Sequence, residues 1–303
     1  FALFGLLASS VGTPLVQSNT IAMSVNDAVL LFLPKAEQRT VCIIAGAATA
    51  ALVGIVILGG IQRIGKASEI IVPFMAIGYI AICIIVLSRF GGRILPAFCD
   101  IFSGALGIKQ AVGGAAGFCA ARALRIGMAR GVYSNEAGVG SAPMAHACAN
   151  TNDPVKQGMY GIFEVFADTI VMCTMTALVV LASGIPLQAG GEISGTSIAL
   201  RAFSTVLPER TTGIFLAVSM LLFAYTSLLG WAVYGMQCAK YLFGKRAQVP
   251  FCILYTVLTF AGALMKVDFV WTAGETLNYL MAAPNMLALL VLNREVRRET
   301  AFA

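Results

Sequence analysis

Apolar runs long enough to cross a lipid bilayer recur along this chain from end to end, and no other feature restricts its fold so severely. A helix rising 1.5 Å per residue needs about 20 apolar residues to span the hydrocarbon. Eight stretches of that scale are legible, over residues 1–23, 41–61, 70–87, 101–121, 158–181, 211–234, 249–265 and 269–292. No period-two alternation is sustained, which disfavours a β-barrel. Only 11% of the 303 residues are charged and 59% are apolar, against about 25% charged in soluble chains. A water-facing surface cannot be built from that, so the chain reads as an all-α integral membrane protein. Disorder, a nucleic-acid module and a cytosolic enzyme are excluded on the same ground.

The net charge of +6 does not argue for nucleic acid, because the cations fall singly or in pairs between apolar runs, where they anchor loops. More of them lie on the side that holds Arg122, Arg125, Arg130, Lys240, Lys245 and Arg246. The positive-inside rule places that side in the cytoplasm, and the first helix then runs outward. Eight cysteines include no C-x-x-C pair and read as small apolar packing residues rather than a disulfide framework or metal cage. Phe1 already lies in an apolar stretch, with no Met or basic leader before it, which reads as a partial chain.

The fourth run is abnormal. Gly104, Gly107, Gly113, Gly114 and Gly117 interrupt it, and Lys109 and Gln110 sit within it. Glycine costs about 1 kcal/mol relative to alanine in a helix interior, and freed backbone groups at membrane depth are tolerated only beside protein or a wet cavity. A break at Gly113-Gly114 would aim peptide dipoles at a ligand, as in transporter sites. A glycine-rich helix that lets its neighbours pack closely fits the same spacing.

From Arg130 to Ala147 the chain reads R-G-V-Y-S-N-E-A-G-V-G-S-A-P-M-A-H-A. This resembles the corresponding run of the alanine or glycine:cation symporter family, the sodium:alanine symporter type. Similar pieces lie at Gln17-Ser18-Asn19, Gly59-Gly60-Ile61 with Arg63, Pro73-Phe74-Met75-Ala76, Pro154 to Gly158, Phe166 to Thr169, Phe223 to Ser227, Gly230-Trp231 and Pro284-Asn285, so the resemblance covers essentially the whole chain. It implies a leucine-transporter-type fold, two five-helix units of inverted topology, here incomplete and corresponding to the third through tenth core helices. The chain is then one transmembrane domain: residues 1–90 are the remainder of the first repeat, 91–292 the second repeat and 293–303 a cytoplasmic tail. Two departures from the family pattern, Gly12-Thr13-Pro14 before Gln17 and Ala115 with Phe118 nearby after Gly113-Gly114, bear on substrate size.

What the resemblance implies for function is import of a small neutral amino acid, alanine or glycine, coupled to sodium by alternating access in the cell membrane. The implied partners are that amino acid, sodium and the bilayer, without nucleic acid or cofactor. Gln17 brings an amide into an apolar helix, where an unpaired polar group is costly. It either meets the ligand or bonds a neighbouring helix. Thr226 and Ser227 are adjacent hydroxyls of the type a hard cation accepts; the resemblance makes them sodium ligands, and back-bonding one turn earlier is the alternative. Trp231, one turn beyond Ser227, walls the substrate pocket or simply packs. Gly113, Gly114 and Gly117 complete the expected substrate site.

Glu164 and Asp168 are four apart, and intramembrane carboxylates are functional candidates by default; they read as an ion-path element or as a structural pair satisfied by hydroxyls, Arg130 or Lys156. Glu275 is read likewise. Ser134, Glu136 and His146 suggest a hydrolase constellation, but no G-x-S-x-G elbow appears and the 134–143 run reads as a tight connector capped by Ser141 or Asn135. A membrane enzyme, a channel and an inert fragment are the rival readings. No enzyme is expected.

Overall fold

A chain solvated by hydrocarbon must satisfy every peptide group internally, and a helix does so within one segment. The computed structural model describes residues 1–105, 116–186 and 195–301, and among these the regular elements are all helical, with no strand. Helix α1 (Ala2–Leu7) runs through a π-helical turn (Ala8–Gly12) into α2 (Thr13–Leu30), followed by α3 (Gln38–Ile57), α4 (Ile61–Ser88), α5 (Gly91–Ala105), α6 (Ala116–Asn135) and the short α7 (Ala142–His146). Next, α8 (Pro154–Val165) continues through a second π-helical stretch (Phe166–Cys173) into α9 (Thr174–Ala182), before α10 (Gly195–Ser204), α11 (Glu209–Phe243), α12 (Gln248–Gly262) and α13 (Val267–Ala301). Among the described residues five helices, Gln38–Ile57, Ile61–Ser88, Pro154–Ala182, Glu209–Phe243 and Val267–Thr300, are long and apolar enough to cross a membrane.

Their outer faces match that environment. On α4, Ile70, Phe74 and Ile77 are 75%, 74% and 69% exposed at helical spacing, a stripe that suits lipid and would be a liability in water. Helix starts follow local chemistry: the Asp153 carboxylate accepts the backbone N–H groups of Val155 and Lys156 at 3.0 Å, and Pro154 opens α8 where no intrahelical donor is needed. The expected run over residues 101–121 is described only at its two ends. Its described ends belong to α5 and α6, which reach outward to Gly91 and Asn135; Gly113 and Gly114 lie outside the described residues. The expected tail at 293–303 continues α13 to Ala301.

Two compact units interleave along the chain. The first comprises Phe1–Met75, Glu136–Phe163 and Gly213–Ala303, and the second Ala76–Asn135 and Glu164–Thr212. In the first, α2, α3 and α12 pack against one another, and Ile21, Val53, Leu228, Ala232, Phe251 and Tyr255 form its core. The Tyr255 hydroxyl donates to the Leu228 carbonyl at 2.7 Å, removing a polar orphan from that core. At the α2–α12 crossing the backbone of Leu15 comes so close to Gly262 that a Cβ there would stand 2.5 Å from the Leu15 Cα. Beside it the Asn19 amide donates to the carbonyls of Gly262 and Met265 at 3.0 and 2.8 Å, satisfying groups that the end of α12 leaves open. In the second unit, α9 packs with α5 and α10. There the Tyr79 hydroxyl hydrogen-bonds Thr176 Oγ1 at 2.9 Å and its ring lies 6.2 Å from that of Phe203.

Candidate functional site

The run that follows α6 is built on an unusual backbone. Glu136, Gly138 and Gly140 have φ of 55°, 81° and 93°, all in the left-handed region that ordinary residues avoid. At Gly140 the reason is also steric: a Cβ would fall 2.6 Å from the Asn285 side chain and 2.7 Å from the Phe1 ring. The turn folds the Glu136 carboxylate back onto Ser141 and Trp231. Trp231 Nε1 donates to Oε1 at 2.6 Å, and the Ser141 hydroxyl donates to Oε2. Asn285 Nδ2, on α13 one residue after Pro284, donates to the Gly138 carbonyl at 3.0 Å. Val139 and Ser141 are fully buried. One turn is thus pinned to both α11 and α13.

Ser141 stands immediately before α7, at its N-cap position, but its side chain makes no capping bond. Its hydroxyl goes instead to the Glu136 carboxylate, a charged acceptor that outbids backbone partners. Asn135 is likewise not a cap for α7; it is the last residue of α6, and its Nδ2 donates to Thr169 Oγ1 at 3.1 Å.

On α11, Trp231 is 5% exposed and meets Tyr234 edge-on, with ring centroids 5.5 Å apart. One turn earlier the Thr226 hydroxyl donates to the carbonyls of Leu222 and Phe223, each at 3.0 Å, and touches Met75 Sδ at 3.8 Å. That is the back-bonding geometry, in which the oxygen's lone pairs still face outward from the bond. Ser227 is half-buried. Gln17, on α2, is half-buried, and among the described residues no hydrogen bond reaches its amide. Gly117 lies in the first turn of α6.

In the second unit, the Ser134 hydroxyl donates to Asp168 Oδ2 at 2.7 Å, and the Thr169 hydroxyl to the same oxygen at 3.3 Å. Asp168 sits in the π-helical stretch, where the widened turn exposes side chains and backbone for such bonds. Glu164 is exposed and Glu275 half-buried. The hydrolase constellation is not assembled by these bonds: Ser134 is on Asp168, Glu136 on Trp231 and Ser141, and His146 Nδ1 pairs with Gln157 Nε2 at 2.6 Å.

Three contacts are not visible in the sequence alone: Glu136 with Trp231, Asn285 with Gly138, and Asn19 with the end of α12. The residues carrying them had one signal in common. Each side chain lies in one of the short runs that carry the family resemblance.

Comparison with known proteins agrees with these runs. The profile of the sodium:alanine symporter family matches residues 1–301. A sodium/alanine symporter, AgcS of Methanococcus maripaludis, is 38% identical over 301 residues, covering 99% of this chain and 63% of the relative. An uncharacterized transporter of Haemophilus influenzae is 35% identical over 302 residues, with 99% and 64% covered. A probable sodium/glutamine symporter, GlnT of Bacillus subtilis, is 34% identical over 295 residues, with 97% and 57% covered. The chain spans less than two thirds of the length of these relatives.

Proposed function

The chain belongs to the sodium:alanine symporter family, a family of transporters, and from that premise we propose that it imports a small neutral amino acid, alanine or glycine, together with sodium. It is a multi-pass membrane protein, and its working place on this reading is the cell membrane. The mechanism is alternating access around a site near the membrane midplane. Sodium and the amino acid each raise the other's affinity there, since linkage is reciprocal.

The observation that carries the substrate reading is Gln17. An amide half-buried on an apolar helix, with no hydrogen bond among the described residues, needs a polar partner, and the α-amino or carboxylate group of an amino acid supplies one. On this reading Trp231 forms the wall that limits side-chain size, and Gly113, Gly114 and Gly117 complete the substrate site. Thr226 and Ser227 give hydroxyl oxygens to sodium; with the Thr226 proton directed at backbone carbonyls, its oxygen is left as an acceptor. The fold we read is the leucine-transporter type with inverted repeats, the first continuing through residue 90 and the second through residue 292. Relatives named for alanine and for glutamine support a neutral amino acid as the substrate.

The test is accumulation of radiolabelled alanine by the protein in liposomes under an inward sodium gradient without a proton gradient. Uptake should follow sodium. Uptake that follows only an imposed proton gradient would overturn the reading.

A further inference from the structure

Glu136 holds a conformation that needs a reason. A non-glycine residue at φ 55° is uncommon, and it persists only where the surroundings over-determine it. Here both carboxylate oxygens are engaged, one by the Trp231 indole at 2.6 Å and the other by the buried Ser141 hydroxyl. The turn cannot drift from this position. Asn285 holds the Gly138 carbonyl, and the Asn285 side chain and the Phe1 ring fill the space where a Cβ of residue 140 would stand. A hydrogen bond from the indole N–H is directional, and one to a carboxylate is stronger than one to a neutral acceptor. Buried among apolar residues, the Trp231 ring would otherwise choose its rotamer by packing alone.

We infer that Glu136 is a positioning residue for substrate selection: by holding the Trp231 indole N–H it fixes the plane of the ring, and with it the largest side chain the pocket admits. This goes with Trp231 walling the substrate pocket, as proposed above. Glu136 touches no substrate. The class of ligand discriminated is the neutral α-amino acid, sorted by side-chain volume.

The chain has two tryptophans, Trp231 and Trp271, so in a Trp271→Phe background the emission reports Trp231 alone. Glu136→Ala should shift that emission and lower its anisotropy. In liposomes it should raise the KM for alanine about tenfold, the scale of one lost charge-assisted bond, and lower the preference for alanine over leucine by a similar factor. Glu136→Gln, which offers an oxygen to the indole and an amide to Ser141, should recover part of both losses. Trp231→Phe should resemble Glu136→Ala in transport, and the double variant should be no worse than either single one. Should Glu136→Ala fail to fold, Ser141→Ala releases the same carboxylate and should move emission and selectivity in the same direction. Unchanged Trp231 emission in Glu136→Ala, or additive losses in the double variant, would overturn the positioning role alone. A Trp231→Phe protein with unaltered alanine KM and selectivity removes the pocket wall itself, and the positioning role with it.

Discussion

Replacing Gly262 by alanine should loosen the contact between α2 and α12 by an amount the geometry sets. The new Cβ would lie 2.5 Å from the Leu15 Cα and 2.8 Å from its carbonyl oxygen. These are backbone atoms, so no rotamer change relieves them. Bringing the nearest contact from 2.5 Å to the 3.4 Å of ordinary packing requires the helices to part by about 0.9 Å. The same movement would stretch the 3.0 Å bond from Asn19 to the Gly262 carbonyl beyond hydrogen-bonding distance. Overpacking costs about 1 to 3 kcal/mol and the lost bond about 0.5 to 1.5 kcal/mol. Alanine's better helix propensity returns about 1 kcal/mol. The net loss is therefore about 0.5 to 3.5 kcal/mol, or several degrees in the apparent melting midpoint. The assay is thermal unfolding in detergent, followed by size exclusion, with Gly65→Ala as the control. Gly65 lies within α4, where a Cβ meets nothing within 4 Å, so that change should be neutral or stabilise by up to about 1 kcal/mol. A Gly262→Ala protein as stable as the Gly65→Ala protein would refute the close helix contact.

Two further predictions concern single polar groups. Gln17→Ala should weaken alanine binding by about 1 to 3 kcal/mol, the cost of leaving a buried polar partner unpaired, while changing the melting midpoint little; unaltered affinity with a large loss of stability would assign the amide to helix packing. Asn285→Ala removes the bond to the Gly138 carbonyl and should cost about 1 kcal/mol, with faster cleavage after Glu136 by a glutamate-specific protease relative to the exposed Glu295 and Glu299. An unchanged cleavage ratio would show that Asn285 does not hold the turn.

Much of the protein's class was legible in the residues themselves, because the interaction of a helix with lipid is local. Twenty apolar residues in succession satisfy their own backbone and suit hydrocarbon wherever their neighbours lie, so α3, α4, α8 with α9, α11 and α13 fall on runs visible in the sequence. Candidate site residues stood out for a related reason: an amide at position 17 and hydroxyls at 226 and 227 contrast with apolar surroundings, and the long run from Arg130 to Ala147 carried the family.

What the sequence alone could not decide is which polar groups meet. Trp231 and Glu136 are 95 residues apart, and Asn19 and Gly262 are 243 apart; their pairing depends on which helices are neighbours, and periodicity carries no record of that. Ser141 had the residue type of a helix cap, yet a carboxylate brought back by a left-handed turn claimed its hydroxyl. The interleaving of the two compact units has the same origin. Apolar length is a property of one segment, whereas the close fit of Gly262 against Leu15 is a property of two segments at once, and only their packing in three dimensions determines it.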